Sequence, residues 1–317
     1  KKPHIVTEAI EKSKVLSEQE GMYKVAIKWG LAEAQALTAL KVKDTPSPII
    51  RDYEWSGKHT PFDHQRETSA FLTLRKKAFC FNEQGTGKTA SVIWAVDYLM
   101  NLGLIKRVLV ICPLSIMKSA WQQDLFTFAM HRTCSVAYGT AKQRSKILAA
   151  GSEFVVINFD GVDVVKEDII DNKFDLIVVD EANAYKNVQT NRWKVLNKIV
   201  SKTEWLWMLT GTPAAQSPID AFGLARLVNP DGVPRYFGQF RDKVMRKVTQ
   251  YTWKPNLHAD RIVHQVLQPA IRFEKDQCLD LPPVTHVERE APLTKQQDKY
   301  YQLLRKQMVM EADGEQV

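Results

Sequence analysis

The sequence predicts an α/β fold, a parallel sheet sandwiched by helices. Three observations carry that prediction. From Pro61 onward, short apolar runs alternate with stretches of helical spacing, the rhythm of strand–helix–strand units joined by right-handed crossovers. Four of the runs, at 108–111, 154–157, 176–179 and 205–209, are rich in β-branched or aromatic residues and continuous rather than alternating. Strands buried on both faces of a parallel sheet read this way. A fifth run, 78–81, leads straight into a glycine-rich turn. Helices are expected between the strands, for example at 89–100 and 119–128. Ligands of such sheets bind outside the carboxyl ends of the strands, so the chemistry should follow the apolar runs.

The N-terminal part reads differently. Val25, Trp29, Leu31, Ala34, Leu37 and Leu40 recur at helical spacing, which predicts helix over residues 1–43. Asp44-Thr45-Pro46-Ser47-Pro48 then breaks the pattern, because each proline disfavours helix before it. The expectation is a small helical region over 1–58 and an α/β domain over 59–317, with the boundary near 44–60.

Composition narrows the class. With 317 residues, 44% of them hydrophobic and 25% charged, the chain can bury a full core and is not disordered throughout. Cys80, Cys112, Cys134 and Cys278 form no CxxC pair, which argues against a disulfide framework and a cysteine zinc site. The seven histidines show no ligand spacing. A reducing, intracellular compartment is expected. No apolar run nears the ~18 residues of a membrane span, and no signal-peptide pattern opens the chain. The first residue is Lys1, so a fragment of a longer protein is expected. The net charge of +8 (44 basic, 36 acidic) suits a polyanionic partner, although many basic enzymes never touch nucleic acid.

The run at 78–81 is followed by Asn82-Glu83-Gln84-Gly85-Thr86-Gly87-Lys88-Thr89 and a helical stretch. Glycines let a backbone wrap so that the N–H groups around Gln84, Gly85, Thr86 and Gly87 point at phosphate oxygens. The helix start adds its positive dipole end. Lys88 can reach the outer phosphates of a nucleotide, and the Thr89 hydroxyl can ligate Mg2+. Asn82 stands where the pattern GxxxxGK[ST] has glycine.

The run at 176–179 ends in Asp180-Glu181. Alone, an acidic pair after a strand is most often a solvated strand end. With a phosphate loop upstream, Asp180 is placed to hold Mg2+ and Glu181 to orient or deprotonate an attacking water. The run at 205–209 ends in Thr210-Gly211-Thr212-Pro213, which reads equally as a sensor of nucleotide state or as an ordinary strand exit. Residues 235–254 carry Arg235, Arg241, Lys243, Arg246, Lys247 and Lys254 against the single acid Asp242, interleaved with Tyr236, Phe237, Phe240, Tyr251 and Trp253. They suit sequence-independent phosphate contacts, and equally a solvated helix face with its aromatics turned inward.

Together, residues 61–310 resemble the first motor lobe of the Swi/Snf-type helicase-like ATPases of superfamily two. Pro61-Phe62-Asp63-His64-Gln65 resembles their adenine-reading glutamine motif, and residues 82–89 their motif I. Val110-Ile111-Cys112-Pro113-Leu114-Ser115, followed by Trp121, resembles motif Ia. Residues 180–187 resemble the extended motif II and 209–213 motif III. Leu281-Pro282-Pro283, with Gln297 and Tyr300, resembles the segment leading toward the second lobe. The stretch 78–90 and Tyr53-Glu54-Trp55 look most like the annealing-helicase and phage branches.

The resemblance implies a RecA-like fold and Mg2+-dependent ATP hydrolysis coupled to movement on double-stranded or branched DNA. It implies catalytic roles for Lys88, Asp180 and Glu181, adenine recognition by Gln65, and DNA contacts by Ser115 and Lys118. It also implies coupling through Thr210, Gly211 and Thr212, and a second RecA-like lobe that supplies an arginine. Asn183 replaces the usual histidine of motif II, which bears on coupling. No second set of strands follows Leu281, so residues 1–317 alone are expected to be nearly inactive. Two other readings stay open: a nucleotide-binding regulatory or DNA-binding module without motor activity, and a small-molecule phosphotransferase. The last leaves Gln65 and residues 209–213 unexplained.

Overall fold

The computed structural model describes residues 3–214, 216–249, 252–278 and 287–314. Two strands precede the main sheet, β1 (Ser13–Gln19) and β2 (Met22–Ile27). The main sheet begins with β3 (Lys77–Cys80), β4 (Val108–Cys112), β5 (Cys134–Ala137), β6 (Phe154–Asn158), β7 (Leu176–Asp180) and β8 (Trp205–Leu209). A small antiparallel hairpin follows, β9 (Met245–Lys247) and β10 (Trp253–Pro255). The edge strand β11 (Ala270–Ile271) then returns to the main sheet.

The main sheet has seven strands in the order β11-β3-β8-β7-β4-β6-β5, all parallel. Every residue of β4, β6, β7 and β8 is buried, as their unbroken apolar runs predict. Alternate residues feed two cores. Leu109, Ile111, Val155, Ile177 and Met208 pack on one face. Val108, Val110, Val156, Val178 and Trp207 pack on the other. This is the RecA-like architecture. The helix after the glycine-rich turn forms as Lys88–Asn101.

The N-terminal expectation of helix over 1–43 needs correction. Helices form at Pro3–Ala9 and Leu31–Ala39, but β1 and β2 pair as an antiparallel hairpin, Gln19 facing Met22. Glu20 and Gly21 turn the chain with φ of 50° and 74°, the two-residue positive-φ turn that suits strand twist. The hairpin buries no residue, so its polar composition mimicked an exposed helix.

The boundary near 58 does not separate two cores. Leu31, Ala34, Ile49 and Tyr53 are buried in the same cluster as Trp94 and Trp207. The compact unit runs from residue 1 to 279, and residues 280–317 form a second unit. Tyr53, Trp55, Trp94 and Phe128 stack edge to face in a chain, with centroid distances of 5.3, 5.7 and 5.0 Å. The helix expected at 119–128 opens as a π-helical turn over Met117–Gln122 before continuing as α-helix over Gln123–Phe128. In the second unit, helix Lys295–Gly314 is capped by Thr294, which exchanges hydrogen bonds with Gln297. Residues 281–283 lie outside the described residues. All four cysteines are free thiols, and no helix among the described residues is long and apolar enough to cross a membrane.

Candidate active site

Sheet topology brings three predicted segments to one edge. β8 lies between β3 and β7, with Leu209 in register with both Cys80 and Asp180. At about 4.8 Å per strand, the phosphate loop after β3 and the acidic pair at the end of β7 stand ~10 Å apart. Thr210, Gly211 and Thr212 leave β8 between them. A Cβ on Gly211 would stand 3.7 Å from the Asn82 carbonyl oxygen and the Gln84 nitrogen, so that strand exit lies against the loop.

The loop turns through two left-handed glycines, Gly85 (φ 84°) and Gly87 (φ 77°). Gly87 precedes the first helical residue, Lys88, and Thr89 stands second in that helix. The left-handed backbone calls for glycine at 87, and a side chain there would push the Gln65 amide out of its place. The Lys88 ammonium donates to the carbonyls of Asn82 (2.8 Å) and Glu83 (3.0 Å). Gln65 accepts from the Phe62 N–H at 3.0 Å and donates to the Thr86 carbonyl at 3.3 Å. The His64 Nε2 meets that same carbonyl at 2.9 Å.

Asn82, the departure from the glycine pattern, is buried. Its amide donates to the Thr68 hydroxyl at 2.8 Å, and its carbonyl oxygen accepts from the Phe273 N–H at 3.0 Å. An asparagine here ties the loop to two neighbouring segments, which glycine would not.

Asp180 is buried at the end of β7. One carboxylate oxygen accepts from the Trp121 indole N–H at 3.0 Å, the other from the Glu181 backbone N–H at 2.9 Å. Burial pushes the carboxyl upward from its ordinary pKa, against these two donors and the charge of Lys88. A carboxylate has roughly four acceptor sites. Two are taken, which leaves hard oxygen lone pairs fit for a divalent cation. Glu181 is half-buried with φ of 51°, a strained conformation for a non-glycine residue and one that collects at functional sites. Asn183 donates to Thr212, at 2.6 Å to the carbonyl and 3.1 Å to the hydroxyl. Thr212 in turn donates its N–H to the Thr210 hydroxyl at 3.3 Å.

The predicted nucleic-acid contacts divide. Ser115 and Lys118 are exposed just after β4, on the same edge of the sheet. The basic stretch is not one helix: helix Phe237–Val244 gives way to the β9–β10 hairpin. Phe240 is buried and Phe237 packs beside it in the core. Arg241 stacks 4.1 Å over the Trp253 ring and pairs with Asp242 at 3.0 Å, so it is not the free cation its sequence suggested. Lys243, Arg246 and Lys247 are exposed and, among the described residues, carry no ion pair. Tyr251 lies outside the described residues.

Sequence reasoning missed three contributors. Trp121 was legible only as part of a motif, with no signal for a bond to a residue 59 positions away. Phe273 and Lys275 lie on the segment beyond β11 that runs beside the loop. Their neighbourhood depends on strand order, which a single sequence does not specify.

A family model described as the SNF2-related domain matches residues 64–317. A chromatin-remodeling ATPase INO80 from Lodderomyces elongisporus is 27% identical over 72% of this chain and 15% of its own length. A mouse chromodomain-helicase-DNA-binding protein 1-like is 29% identical over 70% of this chain and 25% of its own. An uncharacterized ATP-dependent helicase, YqhH, from Bacillus subtilis is 26% identical over 54% of this chain and 30% of its own. The chain thus spans less than a third of these curated relatives. In fold, it resembles a Sulfolobus solfataricus SWI2/SNF2 ATPase core solved with double-stranded DNA, with a TM-score of 0.60 at 23% identity. That match covers 70% of this chain and 46% of the other. The phosphate loop, the acidic pair and the β8 exit on one sheet edge fall within the matched residues, and the chain belongs to the SNF2-related domain family.

Proposed function

We propose that this chain is the ATP-binding half of an ATP-dependent double-stranded DNA translocase. What carries the reading is one arrangement: the loop that presents Lys88 follows β3, the buried Asp180 ends β7, and Leu209 of the strand between them is in register with both Cys80 and Asp180. A buried carboxylate at the strand end beside a phosphate loop and its lysine is what nucleotide hydrolysis needs at one wall of its cleft.

In this reading Gln65 faces the adenine and the N–H groups of Gln84, Gly85, Thr86 and Gly87 face the phosphates. Lys88 leaves the loop carbonyls for the outer phosphates. Thr89 and Asp180 supply hydroxyl and carboxylate oxygens for Mg2+, which offsets charge on the phosphates when bound. Glu181, turned by its left-handed backbone, holds the attacking water and accepts its proton. Thr210, Gly211 and Thr212 carry the state of this edge to the DNA-facing surface through Asn183. Ser115, Lys118, Lys243, Arg246 and Lys247 touch phosphate, and Arg241 shapes the hairpin beside them.

The DNA reading is supported by the exposed Lys243, Arg246 and Lys247, which carry no ion pair among the described residues, and by the likeness in fold to the archaeal core, which was solved in complex with double-stranded DNA. An arginine from a second RecA-like lobe completes the site. Such an arginine is worth roughly 10³–10⁵ in rate in related hydrolases, so residues 1–317 by themselves turn ATP over slowly. The test is ATP turnover by the intact protein, with and without duplex DNA.

A further inference from the structure

Lys275 is a second lysine at the phosphate loop. It stands on the segment that leaves β11 and runs beside residues 81–83. The carbonyl of Ile271 accepts from Phe81 N–H at 2.8 Å, and that of Phe273 from Glu83 N–H at 3.0 Å. The Phe273 N–H donates to the Asn82 side chain at 3.0 Å, and the Lys275 N–H to a Glu83 carboxylate oxygen at 3.0 Å. These four bonds fix the main chain, so the lysine side chain starts from a defined place.

From there the side chain lies on Gly85. A Cβ built on that glycine would stand 3.0 Å from the Lys275 Cε and 3.5 Å from its Nζ. Glycine at 85 therefore does more than turn the loop: it leaves the backbone bare where a lysine stem covers it. The two lysines are occupied differently. The Lys88 ammonium is bonded to loop carbonyls. The Lys275 ammonium has no carboxylate partner among the described residues. The acids beside it, Glu83 and Glu274, turn to Arg272 at 4.0 and 3.3 Å.

We propose that Lys275 binds the phosphate chain of the nucleotide, closing the outer side of the loop over Gly85 as a second cation beside Lys88. This rests on the nucleotide reading above. The physical reason is charge. A polyphosphate held by the loop offsets the charge of both ammonium groups at once. Lysine binds phosphate as a point charge and needs only a fixed stem. The contact is a binding one, and Lys275 makes or breaks no bond.

The experiment measures AMP, ADP and ATP binding to the intact protein by calorimetry, for the wild type, Lys275→Met and Lys275→Arg. Methionine keeps an apolar stem on Gly85 and removes the charge; arginine keeps the charge. The expected result is a loss of about tenfold in ATP affinity for Lys275→Met, a smaller loss for ADP, and AMP within about twofold. Lys275→Arg retains most of the ATP affinity. The slope of log affinity for ATP against log salt becomes shallower in Lys275→Met. Two results overturn the proposal: unchanged ATP affinity in Lys275→Met, or equal losses for AMP and ATP, which would make the stem a packing element only. A wild-type protein that binds no ATP overturns the nucleotide reading itself, a separate outcome from either.

Discussion

Asn183 holds Thr212: its side-chain amide donates to the Thr212 carbonyl at 2.6 Å and to the hydroxyl at 3.1 Å. The two residues follow neighbouring strands, β7 and β8, so the bond joins the segment carrying Asp180 and Glu181 to the strand exit beside the phosphate loop. Asparagine makes this link where the resemblance leads one to expect histidine. Both side chains offer an N–H at similar reach, and the departure leaves the connection in place.

If this bond carries coupling, Asn183→Ala keeps ATP affinity and loses stimulation by DNA. A coupling free energy of ~1–3 kcal/mol corresponds to about a 5- to 150-fold loss. Asn183→His retains most of the stimulation. ATP turnover with and without duplex checks it; undiminished stimulation in Asn183→Ala removes the relay.

Trp121→Phe acts on the pH dependence. Burial raises the Asp180 pKa, and the indole N–H opposes that rise. Without the N–H the carboxyl climbs further, so at a given pH less of it is ionised to hold Mg2+. The acid limb of the turnover profile then moves to higher pH, because a hydrogen bond to the charged form favours that form and its loss favours the neutral one. A pH–rate profile of the variant shows it. An unmoved limb, or one moved to lower pH, contradicts the role given to Asp180.

Asp97 anchors the far end of the phosphate-loop helix. It accepts from Tyr53 (2.6 Å), His131 (2.8 Å) and Arg132 (2.6 Å). Burial alone would raise its pKa, but these donors hold it below the ordinary carboxylate value. A depressed pKa contributes stability above the unfolded value, and that stability is lost as pH falls through the folded one. Asp97→Asn therefore destabilises by about 3 kcal/mol at neutral pH, and the gap narrows below about pH 4. Urea titrations at several pH values measure this. A gap independent of pH contradicts the assignment.

The four long strands, the loop, the acidic pair and the β8 exit were legible because each has a local cause: a continuous apolar run, a glycine turn, a carboxylate at a strand end. What was not legible depends on distant neighbours or on weak signals. β5 is four residues of mixed polarity at a sheet edge, and β11 is two residues long. β1 and β2 bury nothing; only Glu20-Gly21 marked them, and the helical spacing around Val25 to Leu40 hid that mark. The basic stretch read as one segment because charge has no period, whereas its aromatics belong to two elements.

Removing charge from the β9 region separates phosphate contacts from packing. Arg246→Ala and Lys247→Ala each reduce the salt slope of duplex binding by about one, with little dependence on sequence. Arg241→Ala loses its stacking on Trp253 and lowers stability instead. Fluorescence anisotropy across salt concentrations tells these apart. An unchanged slope in the double variant moves the DNA contact elsewhere.

The most direct measurement of the central claim is ATP turnover by the intact protein with saturating Mg2+, with and without duplex DNA, for the wild type, Lys88→Ala and Glu181→Gln. The wild type is stimulated by DNA. Lys88→Ala loses nucleotide binding, because no backbone group replaces its charge at the outer phosphates. Glu181→Gln still binds ATP with Mg2+ and stalls, since the amide keeps the shape and loses the base. Normal turnover in Lys88→Ala or Glu181→Gln, or a wild-type rate indifferent to DNA, contradicts the account.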